Sequence, residues 1–161
     1  MATTHGILTE RARTLAQRPT DETAPRAQFV LVRRTGLLIG LRVAEVESAG
    51  RVREITAVPG APEWLRGATV HRGHVVSLID LVALWGEGRG VADLPSFVCL
   101  RLGERRLGIL VEELLGFDET DAKLELWQGN ERAGVASVTQ RGRERVYVIS
   151  AERLFASPEL L

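Results

Sequence analysis

The chain changes its hydrophobic rhythm at Phe29. Before that point Ile7, Leu8, Ala12 and Leu15 recur at helical spacing among Thr9, Glu10, Arg11 and Arg13, with Thr4 placed to cap and Pro19 to stop. The polar stretch from Pro19 to Pro25 reads as a linker, so residues 1–28 are expected to form a partly helical tail, either exposed or docked on the body or a partner. From Phe29 the pattern suits strands. Phe29–Val32 and Leu37–Leu41 are apolar runs separated by Arg33-Arg34-Thr35-Gly36, the pattern of a hairpin turning near Thr35-Gly36. Val43–Val46 is expected to continue extended, and Val52–Val58 alternates as a half-buried strand would.

The next stretch is the most ordered in its signals. Pro59-Gly60 suits a turn with the fixed proline φ first and a positive φ second, and Pro62 pushes Ala61 towards extended geometry. Leu65–Val70 reads as a strand, Arg72-Gly73 as a tight turn, and Val75–Ile79 as a strongly β-prone strand. Asp80 is a good N-cap for a short apolar helix from Leu81 to Trp85, and Gly86 to Gly90 closes the unit as a loop.

At Phe97 the pattern begins again. An offset of 68 matches Phe29 with Phe97, Arg33 with Arg101, Gly40 with Gly108, Val43 with Val111 and Glu45 with Glu113. Further on, Gly67 matches Gly134, Arg72-Gly73 matches Arg141-Gly142, Asp80 matches Ser150 and Leu84-Trp85 matches Leu154-Phe155. Two copies of one supersecondary unit follow, each of about five short strands and a capped helix, which suits a small barrel whose closure removes sheet edges. The expected organisation is all-β: a body over 29–161, with subdomain one at about 29–90, subdomain two at about 91–161, and terminal segments free to exchange between them. Neither unit buries much core alone, so the two should pack together and leave a groove.

Composition changes this picture little but excludes much. The chain has 161 residues, 45% of them hydrophobic, and its 21 basic and 21 acidic side chains cancel. That balance lacks the basic face of a nucleic-acid binder. One cysteine, Cys99, rules out an intrachain disulfide and a cysteine-rich zinc site, and fits a reducing cytoplasm. No apolar run is long enough to span a membrane, and the N-terminus lacks the pattern of a secretory signal.

Candidate chemistry is sparse. His71 and His74 flank the Arg-Gly turn, but no third ligand lies near them in sequence, so no metal or cofactor is expected. Cys99 sits in an apolar run as a structural thiol would. Glu45 and Glu113 share a repeat position, which duplication explains without acid–base work; both are expected at strand ends facing solvent. Arg72 is either a solvated turn residue or a guanidinium bridging an interface. Trp64, after the proline-rich turn, is either core or exposed interface surface. A metal-dependent enzyme using His71, His74 and Asp80, and a structural barrel that self-assembles, are the rival readings.

Val58–Gly67, then Arg72-Gly73, then Val75–Leu81 resemble the signature of the CheW-like domain, approximately Val-Pro-x-x-Pro-x-x-x-x-Gly, Asn-Leu-Arg-Gly and Val-x-Pro-x-x-Asp-Leu. Val43–Val46 is similar to that family's Val-x-Glu-Val/Ile, and the likeness runs from about Phe29 to Phe155. The resemblance implies two intertwined five-stranded SH3-like barrels and a non-catalytic chemotaxis adaptor. Such adaptors couple transmembrane chemoreceptors to the regulatory domain of the histidine kinase CheA, in cytoplasmic arrays at the membrane that can include self-association. It implies partner contacts at Val43, Glu45, Gly67 and Arg72, to which the residue reading adds Trp64 and Gly73. Val70-His71 replaces the family's Asn-Leu and Ser77 its proline, departures that suit a divergent chemosensory or surface-motility pathway.

Overall fold

The computed structural model describes residues 27–87, 94–120, 124–129 and 131–160. The helical reading of residues 4–18 lies outside them, as does the Gly88–Gly90 end of the glycine loop. The first hairpin is β1 (Ala27–Arg34) and β2 (Leu37–Arg42), turning at Thr35-Gly36. Then follow β3 (Val46–Arg51), β4 (Leu65–His71), β5 (His74–Ile79) and the short helix α1 (Leu81–Leu84). The second half repeats the order: β6 (Ser96–Leu102), β7 (Arg105–Val111), β8 (Glu113–Thr120), β9 (Glu125–Leu126), β10 (Val135–Arg141), β11 (Glu144–Ile149) and helix α2 (Ala151–Phe155).

The halves exchange their hairpins. One sheet has the order β8-β1-β2-β11-β10-β9 and the other β3-β6-β7-β5-β4. Each sheet is joined at its middle by a parallel pairing of distant strands, Val146–Ile149 along Leu38–Leu41 and Ser77–Ile79 along Leu107–Ile109. Each is also closed by one bent segment. β3 pairs with β6, and Thr56 further along the same segment exchanges two backbone hydrogen bonds of 2.8 and 2.9 Å with Ala68 of β4. β8 pairs with β1, and β9 downstream of it pairs with β10. With β8 and β9 taken as two ends of one closing segment, each barrel has five strands, the two-barrel architecture expected.

The bend explains two departures from the sequence reading. Val43–Glu45 is not extended but one turn of 3₁₀ helix, because the chain there turns the corner from one sheet to the other; the Val46 N–H closes it on the Val43 carbonyl. Val52–Val58 does not form the expected strand. Its ladder is broken where the segment crosses from the β6 edge to the β4 edge, and Thr56 keeps the bridge.

Three cores result. Phe29, Leu31, Leu38, Val146 and Val148 fill one barrel, and Val76, Leu78, Phe97, Cys99 and Leu110 fill the other. The alternate positions Val30, Val32, Ile39, Val98, Leu100 and Ile109 form the core between the sheets. Hairpin strands buried on both faces must read as continuous apolar runs, which is the pattern at Phe29–Val32 and Phe97–Leu100.

The subdomains are also fastened by charge. Arg34, at the end of β1, is fully buried and reaches Asp80 ahead of α1 through Nε to Oδ1 at 3.1 Å and Nη2 to Oδ2 at 2.8 Å. Its Nη1 donates to Glu112 Oε1 at 2.8 Å and contacts Thr35 Oγ1. Asp80 is equally buried and accepts the Val82 N–H at 3.1 Å, so the expected N-cap is in place and doubles as the anchor of a buried ion pair.

Candidate functional site

The β4–β5 hairpin carries the Arg-Gly turn. His71 lies opposite His74, which leaves Arg72-Gly73 as a two-residue turn with both φ angles positive, 52° and 78°. Such a turn matches the twist of the strands and favours Gly, Asn or Asp at its first position. Arginine there is held in a left-handed conformation that costs an L-residue about 1 kcal/mol. Nothing in the barrel core requires it, since Arg72 is exposed.

Directly behind the turn, Val70 and Val75 face each other across the strands and stand 73% and 70% exposed. Ile55, 43% exposed, lies on the segment alongside. A shallow groove lined by Arg53, Glu54, Thr56, Ala68, Val70 and Val75 runs between that segment and the hairpin. The opposite face of β5, at Val76 and Leu78, is core, so the outward valines follow from simple alternation.

The second barrel supplies an internal comparison. β4–β5 and β10–β11 superpose in sequence at an offset of 70, so Arg72 aligns with Gly142 and not, as the sequence match had it, with Arg141, which ends β10. The equivalents of Val70 and Val75 are Gln140 and Arg145, and the equivalent groove also holds Glu125 and Thr139. The hairpin thus presents outward valines in the first copy and Gln140 and Arg145 in the second, whose groove is also lined by the exposed Leu126 and by Trp127. Core packing is common to both and does not explain the difference.

The six expected contact residues fall in different places. Arg72 and Gly73 form the tip. Gly67 lies in β4 at a bulge, with φ 144°; a Cβ there would stand 2.5 Å from the Thr56 carbonyl oxygen and 2.5 Å from Ile55 Cγ2, so its duty is to let the closing segment cross. Trp64 sits at the base of the hairpin, half-buried against the core between the sheets, with its carbonyl accepting the Asp80 N–H at 2.8 Å. It lines a cleft with Leu65, Ile79, Arg105, Leu107 and Phe155, in which the Arg105 guanidinium stands 4.7 Å over the Phe155 ring.

Val43 and Glu45 belong to the 3₁₀ corner. Val43 packs on the shared core. Glu45 does not face solvent as expected: Oε2 accepts the Ala151 N–H of α2 at 3.0 Å, and Oε1 is buried. It thereby holds the N-terminus of α2 together with Ser150, whose Oγ accepts the Arg153 N–H at 3.4 Å. Glu113, its repeat partner, is exposed as expected.

The other polar candidates have structural partners. His71 Nε2 shares a 3.0 Å hydrogen bond with Ser48 Oγ, and its ring packs edge-on to Phe97 at 5.0 Å. His74 is exposed at the tip, whereas Asp80 follows the far end of β5, about 20 Å along the strand. These three residues do not converge, and the described residues contain no group of three or more His, Cys, Asp or Glu placed to hold a metal. Burial, reinforced by the neighbouring Glu47 carboxylate, pushes the Cys99 thiol up to about 11, so it is not a nucleophile at neutral pH. Glu47 itself is held below the usual carboxylate range by the hydrogen bond it accepts from Arg106 at 2.7 Å.

Comparison with known proteins agrees with this architecture. Residues 28–159 match the family model of the CheW-like domain. Among solved structures, the crystal structure of scaffolding protein TtCheW from Thermoanaerobacter tengcongensis superposes with a TM-score of 0.73 at 20% identity, over 84% of this chain and 92% of that one. No curated protein matches the sequence. No helix among the described residues is long and apolar enough to cross a membrane.

Proposed function

This chain belongs to the CheW-like domain family, and we propose on that premise that it is a non-catalytic chemotaxis adaptor. It couples transmembrane chemoreceptors to the regulatory domain of a CheA-type histidine kinase, at cytoplasmic arrays beside the membrane, with residues 29–161 acting as one CheW-like domain. The observation that carries this reading is the β4–β5 tip: an outward valine pair behind an arginine in a left-handed turn, where the second copy has Gln140 and Arg145 in place of the valines. Apolar side chains edged by a guanidinium suit a protein interface, where the fork of Arg72 meets carboxylates or carbonyls and the valines are desolvated. Val43, Glu45, Trp64 and Gly67 support that surface by setting the corner, the hairpin base and the barrel closure. The replaced Asn-Leu and proline of the family signature favour a divergent chemosensory or surface-motility pathway.

The test is light scattering of the purified chain with a receptor cytoplasmic fragment and a kinase regulatory domain from the same genome. The expected result is a heterologous complex that Val75→Asp and Arg72→Glu each weaken while the fold stays intact. Association with none of these partners contradicts the adaptor reading; if the mass of this chain alone then rises with concentration, a self-assembling barrel is supported instead.

A further inference from the structure

The cleft at the base of the β4–β5 hairpin has a counterpart in the second copy, and that counterpart is filled. Ser77 of β5 pairs in parallel with Leu107 of β7, and Tyr147 of β11 pairs with Ile39 of β2 in the same register. Ser77 therefore corresponds to Tyr147, and Phe155 at the end of α2 corresponds to Trp85 at the end of α1. In the second copy the Arg132 guanidinium lies 4.4 Å from the Tyr147 ring and 5.5 Å from the Trp85 ring. Glu87 accepts from its Nε at 3.0 Å and from its Nη2 at 2.7 Å. Two rings, a cation and a carboxylate close that junction.

The first copy holds only part of this set. The Arg105 guanidinium lies 4.7 Å over the Phe155 ring, and its Nη1 donates to the Phe155 carbonyl at 3.5 Å. Among the described residues no carboxylate pairs with Arg105, and neighbouring Arg106 is already held by Glu47 at 2.7 Å. Ser77 puts a hydroxyl where Tyr147 puts a ring, and Ser157 stands where Glu87 does. What remains is an open cleft of about 290 Å³ bordered by Trp64, Ser77, Arg105, Phe155 and Leu160. Drug-sized ligands occupy pockets of about 300–1,000 Å³, so this one suits a single ring rather than a cofactor.

We propose that this cleft receives an aromatic side chain of a partner protein that carries an acidic residue beside it. The ring takes the place that Tyr147 fills in the second copy, between Trp64 and Phe155, where aromatic side chains gain from edge-on or offset contact. The carboxylate meets the fork of Arg105 as Glu87 meets that of Arg132. Charge selects against the alternatives: a basic segment is repelled by Arg105, and a purely apolar one covers the guanidinium without pairing it. Trp64 precedes β4 whereas the Arg72-Gly73 tip follows it, so this surface is separate from the tip and goes beyond the proposed function.

Nuclear magnetic resonance on the full chain tests this, with the capped tetrapeptide Gly-Tyr-Glu-Gly as probe. Saturable shifts are expected at the Trp64 indole N–H and the Ser77 and Leu107 amides, with a dissociation constant on the order of millimolar. Ser77→Tyr, which copies the second barrel, should abolish them. Arg105→Leu, which copies Leu37, should weaken binding by about three-fold or more. Arg105 is exposed, so that variant keeps the fold even if Ser77→Tyr does not. No saturable shift up to about 10 mM overturns the proposal. So does binding unchanged in Arg105→Leu, or equal binding of Gly-Ala-Glu-Gly. Tighter binding of free 4-hydroxyphenylacetate than of the tetrapeptide also overturns it, since the occupant would then be a small acid and not a protein segment. None of these outcomes bears on binding at the β4–β5 tip.

Discussion

Replacing Arg34 by leucine tests the ion pair that fastens the two barrels. The guanidinium and the Asp80 carboxylate are both fully buried and meet through two hydrogen bonds of 3.1 and 2.8 Å. Removing the arginine leaves a buried carboxylate with the Val82 N–H at 3.1 Å and the Ala83 N–H and Arg66 Nη2 at 3.5 Å as its remaining donors. Breaking one side of such a pair costs about 3–5 kcal/mol, a large share of the roughly 5–15 kcal/mol that holds a domain together. The second barrel shows how to rescue it. The counterpart of Arg34, at an offset of 68, is Leu102, and that of Asp80, at an offset of 70, is the N-cap Ser150. Arg34→Leu with Asp80→Ser therefore removes both charges and retains a helix cap, and should be more stable than Arg34→Leu alone by about 2 kcal/mol or more. Urea unfolding followed by circular dichroism and tryptophan fluorescence measures Arg34→Leu, Asp80→Ser and the double variant. A single-variant loss below about 1 kcal/mol, or a double variant whose losses simply add, refutes the reasoning.

Other perturbations bear on separate parts of the account. Gly67→Ala should destabilise by about 3 kcal/mol or more in thermal or urea unfolding, because its Cβ meets the Thr56 carbonyl oxygen; Gly60→Ala, with nothing within 4 Å, should cost much less. Arg72→Gly should raise stability by about 1 kcal/mol through relief of the left-handed turn, yet weaken partner binding, so stability and affinity should move in opposite directions. Cys99 should be unreactive towards Ellman's reagent in the native state. Its thiol titrates at about 11, so the folded chain keeps a proton that the unfolded chain releases near 9.0; stability should fall as pH rises between those values, and Cys99→Ala should lose that dependence. Glu47, depressed by Arg106, stabilises the fold above its unfolded value of 4.5 and loses the contribution as pH falls through its lower folded value; the melting-temperature gap to Glu47→Gln should close there.

What could be read from the chain was what depends on near neighbours. The turn at Thr35-Gly36, the Arg72-Gly73 tip, the caps Asp80 and Ser150 and the repeat itself follow from local residue chemistry, and the structure shows each. The exchange of hairpins rests on two parallel pairings, Leu38 with Val146 and Ser77 with Leu107, for which the pattern carries no address. Arg34 sits in an Arg-Arg pair before a turn, which reads as surface until Asp80 arrives from 46 residues away. Glu45 looked like a solvent-facing strand end because the corner that turns it towards Ala151 is set by the crossing between sheets. At the tip, Arg72 was visible from the motif, whereas the valines behind it stood out only once the second copy showed Gln140 and Arg145 in their places.

The most direct test of the adaptor reading is reconstitution of receptor control. Membranes bearing a chemoreceptor and a CheA-type kinase from the same genome are assayed for kinase phosphorylation with and without this chain. The account predicts that the stimulus changes kinase activity only when the chain is present, and that Arg72→Glu abolishes this coupling in a protein that remains folded. Receptor control that is unchanged when the chain is left out would contradict it.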